Sequence, residues 1–146
     1  MLTWWAVGTW AATAAGGLAM AAVFLTHRGM AQSEREAIGP LRVLPHVGLA
    51  VVGFALWIAY AITDNDDTAW GAVAAIGAAF LIGGTFLLTR EQHRRADLAR
   101  LRGAAAPVET TVPAEHYIPI WLASGHGLLG AATLMLVLLE RAGLGG

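Results

Sequence analysis

Charged and apolar positions divide this chain into four long uncharged runs separated by short polar segments. Leu2 to Thr26, Val43 to Thr63, Thr68 to Thr89 and Tyr117 to Leu139 contain no Asp, Glu, Lys or Arg. Each reaches the roughly 20 residues that a helix needs to cross about 30 Å of hydrocarbon. In lipid the backbone must satisfy its own hydrogen bonds, so these runs are expected to be helices rather than strands. The pattern predicts an all-α polytopic membrane protein, with residues 1–146 forming a single domain built as a four-transmembrane-helix bundle.

Charge orients the bundle. Arg28, Arg35 and Arg42 fall in the loop 27–42, and Arg90, Arg94, Arg95, Arg100 and Arg102 in the loop 90–116. The short link Asp64-Asn65-Asp66-Asp67 has no basic residue. The positive-inside rule therefore assigns both arginine-rich loops to the cytoplasm and both termini to the outside. Trp4, Trp5, Trp57, Tyr60 and Trp70 are expected near the outer interface, with Tyr117 and Trp121 near the inner one. The first run lacks a basic start and is followed by His27-Arg28, so it is expected to remain as a helix rather than to act as a cleaved signal. A bacterial plasma membrane is the expected location.

Composition narrows the chemistry. The chain is 57% apolar with 13% charged residues and a formal charge of −1, a balance set by membrane orientation that gives no sign of nucleic-acid binding. It has no cysteine, which excludes disulfides, thiolate metal sites, iron–sulfur clusters and covalently attached haem. Arginines flanking a membrane serve orientation and contact with anionic lipid.

Pro40 and Pro45 fall before and within the expected first turn of the second helix, and Pro113 and Pro119 do the same for the fourth. Gly103 to Pro113 reads as an irregular linker, and Arg90 to Arg102 as an extension of the third helix, with Glu91 and Arg95 spaced for mutual support. Small residues on the first helix (Gly8, Ala12, Ala15, Gly16, Ala19) and on the third (Gly71, Ala75, Ala78, Ala79) suit close packing within the bundle. Gly83-Gly84 suits a bend, or close approach of a flat ligand. Leu25-Thr26 and Leu88-Thr89, each followed by a basic loop and a helix with an early proline and a histidine, give a faint two-by-two repeat.

Two histidines lie inside the uncharged runs. An ionisable side chain in a membrane span is a functional candidate because hydrocarbon offers it no solvation. His46 shares a helix face with Ala50, Gly53, Trp57 and Tyr60; His126 shares one with Ala123, Gly130, Thr133 and Val137 and is flanked by Gly125 and Gly127. His46 is expected roughly 5 Å, and His126 roughly 14 Å, beyond the inner ends of their spans, depths that overlap once helix tilt is allowed for. His27, His93 and His116 are expected at the same inner side, where they serve as interfacial residues, substitute ligands or proton carriers. The simpler role for His46 and His126 is a hydrogen bond to a backbone carbonyl, Ser124 or Thr133 across the bundle.

If the second and fourth helices are diagonal neighbours, the two imidazoles can serve as metal ligands on opposite faces of one haem. Haem b suits them because two neutral imidazoles suffice as axial ligands and the macrocycle is apolar. Gly53, Gly127 and Gly130 would leave room for the ring, and Arg42, Arg90 and Arg94 are candidates for its propionates. Zinc would want further ligands that the spans do not carry.

On His46, His126 and their surrounding glycines, the chain resembles small transmembrane b-type cytochromes, broadly of the cytochrome b561 kind. The resemblance implies a four-helix core, non-covalent haem and single-electron transfer. Those families commonly carry two haems near opposite membrane faces; no histidine lies in any outer half here, so one inner site is expected. The leading expectation is a membrane oxidoreductase-type cytochrome that exchanges electrons with a quinone or a redox partner protein. The alternatives are an accessory subunit of a larger membrane complex and a small transporter or lipid-binding protein using the histidines for a proton or metal ion. The absence of acidic residues and breaks in the spans disfavours ion-coupled transport.

Overall fold

The computed structural model describes residues 2–27, 40–103 and 117–144. They form α1 (Leu2–Thr26), α2 (Pro40–Thr63), α3 (Asp66–Gly103) and α4 (Ile120–Arg141), with no strand among the described residues. All four helices are long and apolar enough to cross a membrane. The chain is thus an all-α integral membrane protein. Lipid contact is visible in exposed Leu18, Val51, Leu81 and Leu128, each more than 60% accessible. Arg28, Arg35 and His116, together with most of the expected linker, lie outside the described residues, as does the His93 side chain.

Several boundaries differ from those expected. α2 begins three residues early, at Pro40, so Pro45 stands inside the helix and removes one backbone donor from the turn before it. α4 begins three residues late, at Ile120, after Pro119, whose extended backbone (φ −59°, ψ 137°) makes it the N-cap. Only Asp64 and Asn65 separate α2 from α3. Asp64 takes a left-handed conformation (φ 54°), which a short polar side chain tolerates. The Asn65 side chain accepts from Asp67 N–H (2.8 Å), and Asp66 and Asp67 place negative charge in the first turn of α3, where the helix dipole favours it.

Packing is uneven around the bundle. α2 lies closely against α3, and α1 against α4, whereas α1–α2 and α3–α4 touch more lightly. The helices therefore run α1, α2, α3, α4 around the bundle, with α2 and α4 on one diagonal. Exchanging the hairpin α1–α2 with α3–α4 reproduces this pattern, an approximate two-fold arrangement. Buried positions follow it: Ala6 answers Ala72, Trp10 answers Ile76, and Trp57 answers Val137, each pair being buried. The Leu25-Thr26 and Leu88-Thr89 matches are one helical turn out of register with this equivalence.

The core of Ala6, Trp10, Trp57, Tyr60, Ala72, Ile76 and Val137 fills the half of the bundle that ends in the α2–α3 turn. Trp57 and Tyr60 turn inward instead of joining an interfacial belt, while Trp4, Trp5 and Trp70 remain exposed. The indole N–H of Trp57 donates to the Thr3 carbonyl (3.2 Å). Arg141 ties α4 to α3 through Asp66 (2.8 Å) and lies over the rings of Tyr60 (5.5 Å) and Trp70 (5.6 Å). On α1, Gly8, Ala12, Ala15 and Ala19 face outward rather than into the bundle, contrary to expectation, and only Gly16 of that set meets a partner helix. Ala75 and Ala79 on α3 are buried as expected.

Gly53 sits under this core: a Cβ there would lie 3.1 Å from both Trp10 and Ala75. Gly53→Val is expected to cost about 1–3 kcal/mol through overpacking. Gly48→Val, whose Cβ position meets nothing within 4 Å, serves as the comparison, and thermal unfolding in detergent should show a lower midpoint for the first variant than for the second.

Candidate functional site

His46 and His126 meet. Each is the seventh residue of its helix, because α2 starts earlier and α4 later than their hydropathy suggests. Those opposite shifts of about 4.5 Å each remove the expected difference in depth. The ring centroids are 6.1 Å apart and the ring planes are inclined by 67°. Phe86 approaches the His46 ring edge-on at 5.5 Å.

Each imidazole is held in the same way by the helix it packs against. His46 Nδ1–H donates to the Ala79 carbonyl on α3 (2.8 Å), and His126 Nδ1–H donates to the Thr13 carbonyl on α1 (2.9 Å). A carbonyl can only accept, so both bonds require the proton on Nδ1. Four residues beyond each carbonyl stands a glycine, Gly83 or Gly17. In a helix the Cβ of residue i+4 leans back over the carbonyl of residue i, which shields it from neighbours. A Cβ on Gly83 would lie 3.0 Å from His46 Cε1, and one on Gly17 would lie 3.1 Å from His126 Cε1. Glycine is therefore what admits each ring to the backbone of its partner helix. Thr13 and Ala79, Gly17 and Gly83, and His46 and His126 are related by the two-fold arrangement.

Thus the expected carbonyl hydrogen bond is present, and it goes to backbone rather than to Ser124, which is exposed, or Thr133, which donates to Leu129 O. It uses one nitrogen per ring. Among the described residues neither Nε2 has a hydrogen-bond partner, which leaves one unengaged ring nitrogen on each of α2 and α4. Metal-ligating histidines are commonly oriented by such an Nδ1–H···O=C bond. No group of three or more His, Cys, Asp or Glu gathers among the described residues, so the donor set is two imidazoles.

The other expected residues are dispersed. Gly53 makes room for Trp10, Gly130 faces Phe80 and Thr13 at 3.8–3.9 Å, and Gly127 faces only Leu87. Arg42 is exposed and lines a groove on the outer face of α2 and α3. Arg94 and Arg95 both pair with Glu91 (2.7 and 2.6 Å). Arg90 crosses from α3 to the start of α4, donating to the Ile118 carbonyl (2.9 Å). His27 stacks on Tyr117 at 3.9 Å and bonds the Val23 carbonyl, away from the pair.

Gly17, Thr13 and Ala79 were not singled out as site residues by sequence reasoning. A glycine four residues after a carbonyl leaves no sequence signal until its partner ring is known, although the Gly16-Gly17 and Gly83-Gly84 doublets mark both places. Compared with known proteins, the chain matches no family model, no curated protein and no solved structure.

Gly83→Ala is expected to displace the His46 ring from Ala79 O, and Gly17→Ala the His126 ring from Thr13 O. Loss of one such bond should destabilise the protein by about 1 kcal/mol. Imidazole nitrogen NMR shifts should show each substitution altering its own histidine and leaving the other Nδ1–H tautomer in place.

Proposed function

We propose that the chain is a membrane-embedded haem b protein that passes single electrons, with His46 and His126 as the residues that would hold its iron. The observation that carries this reading is the spacing of two imidazoles whose Nδ1 atoms are already engaged. A metal-bound imidazole nitrogen lies roughly 2 Å from its metal, so two imidazoles that would share one metal ion have ring centroids no more than roughly 6 Å apart. The separation here is 6.1 Å.

The surroundings fit a flat apolar group. Glycines flank both rings on the other diagonal of the bundle, Gly16 and Gly17 on α1 and Gly83 on α3. The light α1–α2 and α3–α4 contacts leave room for helices to part around a ligand. Of the three arginines considered for propionates, Arg90 is the best placed, because it is half-buried and already bridges α3 and α4. Arg42 opens toward lipid, and Arg94 is paired with Glu91.

When bound, haem supplies the one-electron chemistry of its iron. The chain's own part is to hold and tune. The Ala79 and Thr13 carbonyls fix the tautomer and ring angle of each ligand and raise its basicity. The apolar spans exclude water, and none of the four uncharged runs carries an acidic residue that would compete for the imidazoles. With the arginine-rich end in the cytoplasm, exchange would occur on that side, with a quinone or a partner protein as the counterpart.

The reduced-minus-oxidised visible spectrum of purified protein is expected to show b-type bands. His46→Ala and His126→Ala should each abolish them, and Arg90→Gln should weaken haem retention while leaving the bands in place. A colourless preparation, stable on its own, would overturn the proposal; one stable only with a co-purifying partner would support the accessory-subunit alternative.

A further inference from the structure

We propose that the outer face of α2 and α3 carries a binding site for one anionic phospholipid, independent of the imidazole pair. A shallow groove of about 630 Å³ runs there, lined by Arg42, Pro45, Leu81, Ile82, Thr85, Leu88, Thr89 and Gln92. Most of its lining, including Arg42, Pro45, Leu81, Thr85 and Leu88, is exposed on the membrane-facing side of the bundle.

The groove is graded along its length. The contacts of Gly53 with Ala75 and of Gly71 with Leu56 set the antiparallel register, which brings Arg42 level with Thr85 and leaves Gln92 at the end nearest the arginine-rich segments. Thr89 lies between Gln92 and that level, and Leu81 and Ile82 close the deep end. The two hydroxyls donate to the carbonyls of Thr85 and Ile82 (2.7 and 2.6 Å), so their remaining capacity is to accept. A guanidinium and an amide beside an apolar floor match a phosphate headgroup above an acyl chain. A guanidinium favours an anionic phosphate over a zwitterion, because a choline would bring a second cation against it.

The approximate two-fold arrangement provides an internal comparison. Aligning His46 with His126 and Gly83 with Gly17 puts Leu122 opposite Arg42, Gly125 opposite Pro45, Ala19 opposite Thr85 and Val23 opposite Thr89. The corresponding face of α1 and α4 therefore has the same helix geometry without the cation or the two hydroxyls. The polarity of the α2–α3 face is not demanded by the fold.

Native mass spectrometry of the full chain, titrated in detergent with phosphatidylglycerol or phosphatidylcholine of identical acyl chains, tests the site. The wild type should retain one phosphatidylglycerol at about fivefold lower concentration than phosphatidylcholine, the factor expected for one arginine near the headgroup. Arg42→Gln should erase that preference, and Arg102→Gln, an exposed arginine outside the groove, should keep it. Leu81→Trp, which fills the apolar floor, should reduce retention of both lipids and covers the case in which Arg42→Gln fails to fold. A preference unchanged in Arg42→Gln, or lost equally in Arg102→Gln, overturns the proposal in favour of diffuse surface charge. The readout involves no haem, so it stands or falls separately from the electron-transfer reading.

Discussion

A neutral imidazole has one nitrogen that must donate and one that must accept or ligate, and hydrocarbon satisfies neither. In this bundle the donating nitrogen of each histidine is met by a helix backbone. That solution is available only where a glycine uncovers a carbonyl already committed to its own helix, as Gly83 does for Ala79 and Gly17 for Thr13. The close α2–α3 and α1–α4 pairings follow from it, because each ring must reach its neighbour's backbone. So does the equal depth of the two rings, since each helix pair fixes its own histidine.

The rest of the fold leaves that region to the histidines. Large side chains are concentrated at the opposite half, where Trp10, Trp57, Tyr60 and Ile76 fill the interior and Arg141 links α4 to Asp66. Around the imidazoles stand Gly16, Gly17 and Gly83 together with the Phe86 ring. The approximate two-fold relation sharpens the point: features shared by both halves, such as the glycine-admitted imidazole, belong to the common centre. Features present in one half only, such as Arg42 with Thr85 and Thr89, call for a separate explanation.

Arg141 shows how a residue outside every obvious pattern can become structural. In the sequence it is one cation after a long apolar run. In the fold it lies over Tyr60 and Trp70 and pairs with Asp66, so that its charge is met by aromatic faces and a carboxylate at the end of the bundle. Trp57 changes role in the same way, from an expected interfacial aromatic to a fully buried side chain whose N–H closes onto Thr3.

The sequence by itself determined the four helices, because uncharged runs of this length have only one backbone solution in lipid. It also singled out His46 and His126, since ionisable groups stand apart in an apolar run, and it placed Gly53, Trp57, Thr133 and Val137 on their faces by helical periodicity. Tertiary structure decided the rest. Hydropathy could not find that α2 starts at Pro40 and α4 at Ile120, because backbone geometry at Pro119 and packing set those ends, and their shifts bring the rings level. Nor could periodicity reveal Gly17 and Gly83 as the residues that admit the rings, or that Gly8, Ala12, Ala15 and Ala19 face outward. A glycine's part is defined by what occupies the space it leaves, and that depends on which helix lies opposite.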